Sequence, residues 1–156
     1  MKITLIAVGN KMPKWVESGF SEYQKRLPPE MTLTLHEIAP GKRLNPAATA
    51  KARLKEEEAT LAAIPEGAYV IALDERGREF SSHELSDKLT ALKRDYSQLA
   101  LLVGGPEGHT DAVRRRAHEL WSLGRLTLPH PLVRVVLAET LYRAYSISAG
   151  LPYHRD

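Results

Sequence analysis

The chain contains no cysteine. That excludes disulfide staples and every thiolate metal site. No apolar run approaches the roughly 20 residues a membrane-spanning helix needs. The opening segment MKITLIAVGNKMPKW has too short an apolar run for a secretory signal and no small-residue cleavage pattern. Low-complexity tracts, linker-like stretches and internal repeats are missing. So are the HExxH and GxSxG signatures, and His36, His83, His109, His118, His130 and His154 are scattered. These absences predict a soluble cytoplasmic protein with no membrane association and no bound metal. What is present is ordinary for a globular chain: 43% apolar and 26% charged over 156 residues. That suits one domain, residues 1–156, around one core. A net charge of +3 permits a polyanionic partner without demanding one.

The periodicity predicts an α/β fold. Lys2–Val8 (KITLIAV) reads as a buried strand. Pro13 opens a helix with Trp15, Val16, Phe20 and Tyr23 on one face, and Leu27-Pro28-Pro29 closes it. Residues 31–38 form a second strand, which makes a βαβ unit with parallel strands and a right-handed crossover. Residues 40–44 are a loop, and Asn45-Pro46 caps a helix over 47–64. YVIAL at 69–73 is a third strand, followed by a polar loop over 74–80. Ser81 and Glu84 fit a capping box for the next helix. Residues 99–103 form the fourth strand, Thr110 caps a helix to about Trp121, and 126–128 form a short fifth strand. A final helix covers 132–149 and Gly150 stops it. Helices on both faces leave ligands to bind beyond the carboxyl ends of the strands. Three loops fall there: after Leu73, after Val103 and around 123–128.

The second of those loops is Gly104-Gly105-Pro106-Glu107-Gly108. It lacks the lysine and Ser/Thr of a phosphate-binding P-loop and the spacing of a dinucleotide fingerprint. It is either a tight turn or a wall for a ligand that wants close backbone contact without a phosphate. Adenosine joined to an amino acid, as in S-adenosylmethionine, is one such ligand. WSLGRLTLPHPLVR at 121–134 sits beside it, and Leu123, Leu126 and Leu128 are either core or the apolar walls of a purine site. The last helix is apolar nearly all round, which fits deep burial or a subunit interface. Glu139 and Arg143, four residues apart, either pair within the helix or belong to an interface pocket. The closing Tyr153, His154 and Arg155 are either a frayed end or a set for RNA: stacking, proton exchange and phosphate contact.

LLVGGPEG at 101–108, WSL and LTLPHPLVRVVLAETLYRAYSI within 121–147, and PYHR at 152–155 resemble the RlmH family of ribosomal RNA methyltransferases, of the SPOUT class. AVGNKMPKWVESGFSEYQKR and APGKR match it too, so the resemblance covers essentially the whole chain. It implies a SPOUT-type parallel-sheet domain with a C-terminal trefoil knot, and a homodimer. It implies S-adenosylmethionine as cofactor, held by Leu73, Gly104, Leu123, Gly124, Arg125, Leu126, Thr127 and Leu128. Arg125 is bulkier than the residue the resemblance leads one to expect. The implied reaction is N3-methylation of a pseudouridine in large-subunit ribosomal RNA on assembled ribosomes. Candidates for its chemistry are His154 for the proton, Arg155 for phosphate or charge stabilisation, and Glu139 with Arg143 at an interface pocket. Tyr153 and Arg155 would contact the RNA. A ribosome-binding assembly factor and a SPOUT enzyme acting on transfer RNA are the rival readings.

Overall fold

The computed structural model describes residues 1–154. Ten elements follow one another: β1 (Lys2–Val8), α1 (Lys14–Gln24), β2 (Thr32–Ile38), α2 (Pro46–Ala63), β3 (Tyr69–Arg78), α3 (Ser82–Asp95), β4 (Gln98–Val103), α4 (Asp111–Arg116), β5 (Glu119–Trp121) and α5 (His130–Ser148). All paired strands are parallel, in the order β2-β1-β4-β3-β5.

The strand sequences explain the two-sided burial. In β1, Ile3, Leu5 and Ala7 enter one core while Ile6 and Val8 enter the other. In β4, Leu99 and Leu101 face the first core and Ala100 and Leu102 the second. Such continuous apolar runs are what a parallel strand covered on both faces requires. α1, α3 and α5 cover the first face, and α5 packs against the other two; α2 and α4 cover the second. Crossovers on the first face step one way along the sheet and those on the second step back. All four therefore share one hand, as parallel crossovers do.

Local signals set the helix starts. Asn45 Oδ1 accepts from Ala48 N at 2.8 Å to cap α2. Ser81 and Glu84 form the reciprocal capping box of α3, at 3.1 and 2.8 Å. Thr110 caps α4 through Val113 N.

Three expectations about the edge of the sheet are corrected. The fifth strand is Glu119–Trp121, not 126–128. α4 stops at Arg116, because Ala117 turns to extended backbone and His118 N is drawn to Val70 O at 2.7 Å. The predicted polar loop after Leu73 is instead the far half of β3, which runs to Arg78. Trp121 pairs with both Leu73 and Arg78, and Ser122 N donates to Arg78 O at 2.9 Å. Residues 74–77 thus arch over β5, and only a glycine fits at the crossing. A Cβ on Gly77 would lie 2.5 Å from the Trp121 carbonyl carbon and 2.6 Å from that of Leu120. The arch holds the chain that follows β5 against the carboxyl end of the sheet.

Candidate functional site

A cavity of about 570 Å³ opens beyond the carboxyl ends of β3 and β4. Its size is within the roughly 300–1,000 Å³ usual for small-molecule sites. All eight predicted cofactor residues line it: Leu73, Gly104, Leu123, Gly124, Arg125, Leu126, Thr127 and Leu128. The three predicted loops therefore do converge. Asp74, Gly105, Ser122, His130 and Val133 complete much of the wall. Leu126 is 85% exposed, so it forms rim and not core.

The glycine loop presents bare backbone to this space. Gly108 N donates to Gly105 O at 3.0 Å, with Gly108 at φ +77°, a conformation that favours glycine. A Cβ on Gly104 would lie 2.9 Å from the Gly108 carbonyl carbon. Glycine at 104 is therefore demanded by the loop's own fold, and the result is a wall of main-chain atoms. At the opposite wall Ser122 Oγ accepts from Gly124 N at 3.2 Å and donates to Gly124 O at 3.0 Å. That bend holds the 122–128 run, and Gly124 sits at φ +134°.

Beneath the wall lies a polar relay that was not among the candidate residues. His130 Nδ1 donates to Gly104 O at 3.2 Å, which leaves Nε2 to accept from Arg134 Nη2 at 3.4 Å. Burial and the neighbouring Arg134 guanidinium both push the His130 pKa down. Arg134 is only 1% exposed. It donates to Glu37 Oε2 at 2.7 Å and to Gly9 O at 2.9 Å, and so ties the ends of β1 and β2 to α5. The relay's sequence signal was the HPLVR spacing, which puts His130 and Arg134 one turn apart on a helix.

Asp74 stands at the cavity edge. Burial alone would raise its pKa, but hydrogen bonds from Arg114 Nε at 2.8 Å and from Arg76 N at 2.9 Å outweigh this and hold it at about 2. His109, behind the loop, bonds through Nε2 to Leu102 O at 2.9 Å, and burial lowers its pKa.

The remaining candidates lie elsewhere. Glu139, Arg143, Tyr153 and His154 are not among the residues lining the cavity. Glu139 is nine residues past His130, about 13 Å along the helix. Glu139 and Arg143 do pair within α5, with Arg143 Nε donating to Oε1 at 2.9 Å. Tyr153 OH donates to the same oxygen at 3.0 Å, and the Arg143 guanidinium lies 4.9 Å from its ring centre. The tail is thus docked and not frayed up to this point. His154 packs edge-on against His83, with ring centres 5.9 Å apart, and its Nδ1 is buried without a hydrogen-bond partner among the described residues. Arg155 lies outside the described residues. Among those described, no cluster of three or more metal-ligating side chains is present, and no helix is long and apolar enough to cross a membrane.

Comparison with known proteins bears on this geometry. A family model described as "Predicted SPOUT methyltransferase" matches residues 1–154. A probable methylase family protein from Haemophilus influenzae has a similar structure, with a TM-score of 0.58 at 14% identity, over 99% of this chain and 70% of that one. A methylase family protein from Neisseria gonorrhoeae gives 0.54 at 14%, over 99% and 86%. A probable methyltransferase from Bordetella pertussis gives 0.53 at 17%, over 91% and 95%. At these identities the structural likeness is one of fold.

Proposed function

The chain belongs to the SPOUT methyltransferase family, and on that premise we propose that it methylates N3 of a pseudouridine in large-subunit ribosomal RNA on assembled ribosomes, as a homodimer using S-adenosylmethionine. The observation that carries the cofactor assignment is the convergence of Leu73, Gly104 and the 123–128 run on one cavity walled by bare backbone. An adenosine–amino acid conjugate fits such a wall. It needs main-chain partners and apolar faces, and no phosphate cradle. When bound, it supplies an electrophilic methyl group on sulfur.

The chain's own residues then have two tasks. The cavity wall must hold the donor in line with N3. A base must take the N3 proton as the methyl passes from sulfur to nitrogen, which would leave the cofactor as its neutral thioether. His154 is suited to the second task, because its buried Nδ1 has no hydrogen-bond partner among the described residues. Tyr153, held by Glu139 and stacked on Arg143, is suited to a nucleobase or ribose contact. These groups lie off the cavity in one protomer, which supports a site shared between two. Trp15 is 57% exposed near the start of α1, and Leu132, Val135 and Val136 of α5 are only half-buried. That apolar surface suits a subunit interface. The arch of residues 74–77 over β5 is the local feature that supports a C-terminal knot.

The test is to incubate ribosomes and transfer RNA separately with methyl-labelled S-adenosylmethionine and to map the labelled nucleotide. Label at N3 of a large-subunit pseudouridine is expected. Label in transfer RNA alone would make the protein a different SPOUT enzyme. Ribosome binding without label would make it an assembly factor.

A further inference from the structure

The motif APGKR at 39–43 has so far been only a loop, yet its arginine is the most fully engaged side chain near the cavity. A guanidinium has five N–H donors, and all five of Arg43 are used. Nη1 donates to Glu56 Oε2 at 2.8 Å and to Gly41 O at 3.0 Å. Nη2 donates to Glu56 Oε1 at 2.7 Å and Glu107 Oε1 at 3.0 Å, and Nε to Glu107 Oε2 at 2.9 Å. The two carboxylates belong to α2 and to the glycine loop, so one planar fork joins them. Glu56 is buried and also accepts from Gly41 N at 2.8 Å. Gly41 in turn lies so close to α2 that a Cβ there would meet Ala52 Cβ at 2.5 Å. The anchor is therefore rigid. Its other end reaches the cavity wall directly: a Cβ on Gly105 would sit 3.1 Å from Arg43 Nη2. Gly105 lines the cavity on one side and rests on the guanidinium on the other.

We propose that Arg43 is a positioning residue for the methyl donor: through Glu107 and the back of Gly105, it sets where the backbone wall stands. With every donor already engaged, it has none left for substrate, so it acts only through the loop. The inference rests on the proposed cofactor site and adds the residue that shapes it. A lysine keeps the charge but cannot bridge two carboxylates in one plane.

The experiment uses the full chain with Arg43→Lys, Arg43→Ala, Glu107→Gln, Glu107→Ala and the double Ala variant. Two measurements are made: amide hydrogen exchange across 104–109 in the free protein, and calorimetric titration with S-adenosylmethionine. Arg43→Lys and Arg43→Ala should speed exchange at Gly108 and raise the cofactor Kd, each by about tenfold or more. The double variant should be no worse than Arg43→Ala, because the two side chains act as one contact. Cofactor KM should rise along with Kd, and kcat at saturation should fall by less than KM rises. Unchanged exchange and Kd, or independent multiplying effects of Arg43 and Glu107, would overturn the proposal. A lowered Tm with unaltered Kd and KM would also overturn it, reducing Arg43 to scaffold. If Arg43→Ala does not fold, Arg43→Lys and Glu107→Gln decide. Failure of the wild-type protein to bind S-adenosylmethionine would sink the proposed activity instead, and exchange in the free protein would still decide whether Arg43 holds the loop.

Discussion

Replacing Gly77 by alanine should separate the cavity from the sheet that supports it. Gly77 is not in a left-handed conformation, so the cost is one of space. The new Cβ would lie 2.5 Å from the Trp121 carbonyl carbon and 2.6 Å from Trp121 N and from the Leu120 carbonyl carbon. Ordinary contact begins at 3.4 Å, so one of the two backbones must retreat by about 0.9 Å. All three obstructing atoms are main chain, and no rotamer change relieves them. Overpacking of this kind costs about 1–3 kcal/mol, and rigid backbone on both sides argues for the upper half of that range. For a chain of this length each kcal/mol lowers Tm by about 2–4 °C, so a fall of roughly 4–12 °C is expected.

The retreat also moves Trp121 and the 122–128 run behind it, which makes up one side of the cavity. Calorimetric titration with S-adenosylmethionine should therefore show a loss of affinity at temperatures where the variant is fully folded. Gly67→Ala is the control. Nothing lies within 4 Å of a Cβ there, but φ is +75°. It should lose about 1–2 kcal/mol from backbone strain with cofactor affinity unchanged. A Gly77→Ala protein whose Tm stays within 2 °C of wild type, or one destabilised with undiminished affinity, would refute the reasoning about the arch.

Other substitutions probe the charges and the tail. Asp74 has a folded pKa of about 2, below its ordinary value near 4, so its contribution is present at neutral pH and is lost as pH falls through about 2. Asp74→Asn should cost about 2 kcal/mol at pH 7, and the gap to wild type in denaturant melts should close between pH 4 and 2. His130 and His109 are held neutral with lowered pKa values, so the unfolded chain binds more protons just below its own histidine range. Stability should fall as pH drops below about 6.5, and His130→Gln should flatten that slope; an unchanged slope would remove His130 from the account. His154→Ala should reduce turnover by about 10²–10⁴-fold with cofactor Kd unaltered, and full activity in a ribosome methylation assay would exclude His154 as the base.

Much of the fold was legible because it is written in periodicity and caps. KITLIAV and QLALLV alternate between two cores, and Asn45 and Ser81 bond to the backbone amides expected of caps. The edge was misread because three residues, Glu119–Trp121, are too few to show a period. Polar DERGR hid the continuation of β3, since pairing there rests on backbone and on Gly77, not on apolar alternation. The three loops around the cavity were legible because loops at strand carboxyl ends converge by topology, while the eight residues named within them came from the family resemblance. Arg43, Asp74, His130 and Arg134 were missed as a group. Each acts through partners distant in sequence: Arg43 with Glu107, Asp74 with Arg114, His130 with Gly104 and Arg134 with Glu37. No local spacing encodes such pairs.

Those four side chains share a further property. Asp74 is neutralised by Arg114 and Arg76, Arg43 by Glu56 and Glu107, and Arg134 by Glu37, while both nitrogens of His130 have partners. The charges nearest the glycine loop therefore close on one another behind the wall. A ligand in the cavity meets the glycine loop's backbone and leucine side chains, with Asp74, Glu75, Arg76 and Arg125 also lining the space. Internally paired charge costs little to leave in place but much to break. The wall is thus pre-organised, and binding need not pay to rearrange it. It follows that substitutions behind the wall should lower cofactor affinity even though the replaced side chains, such as Arg43, touch no ligand.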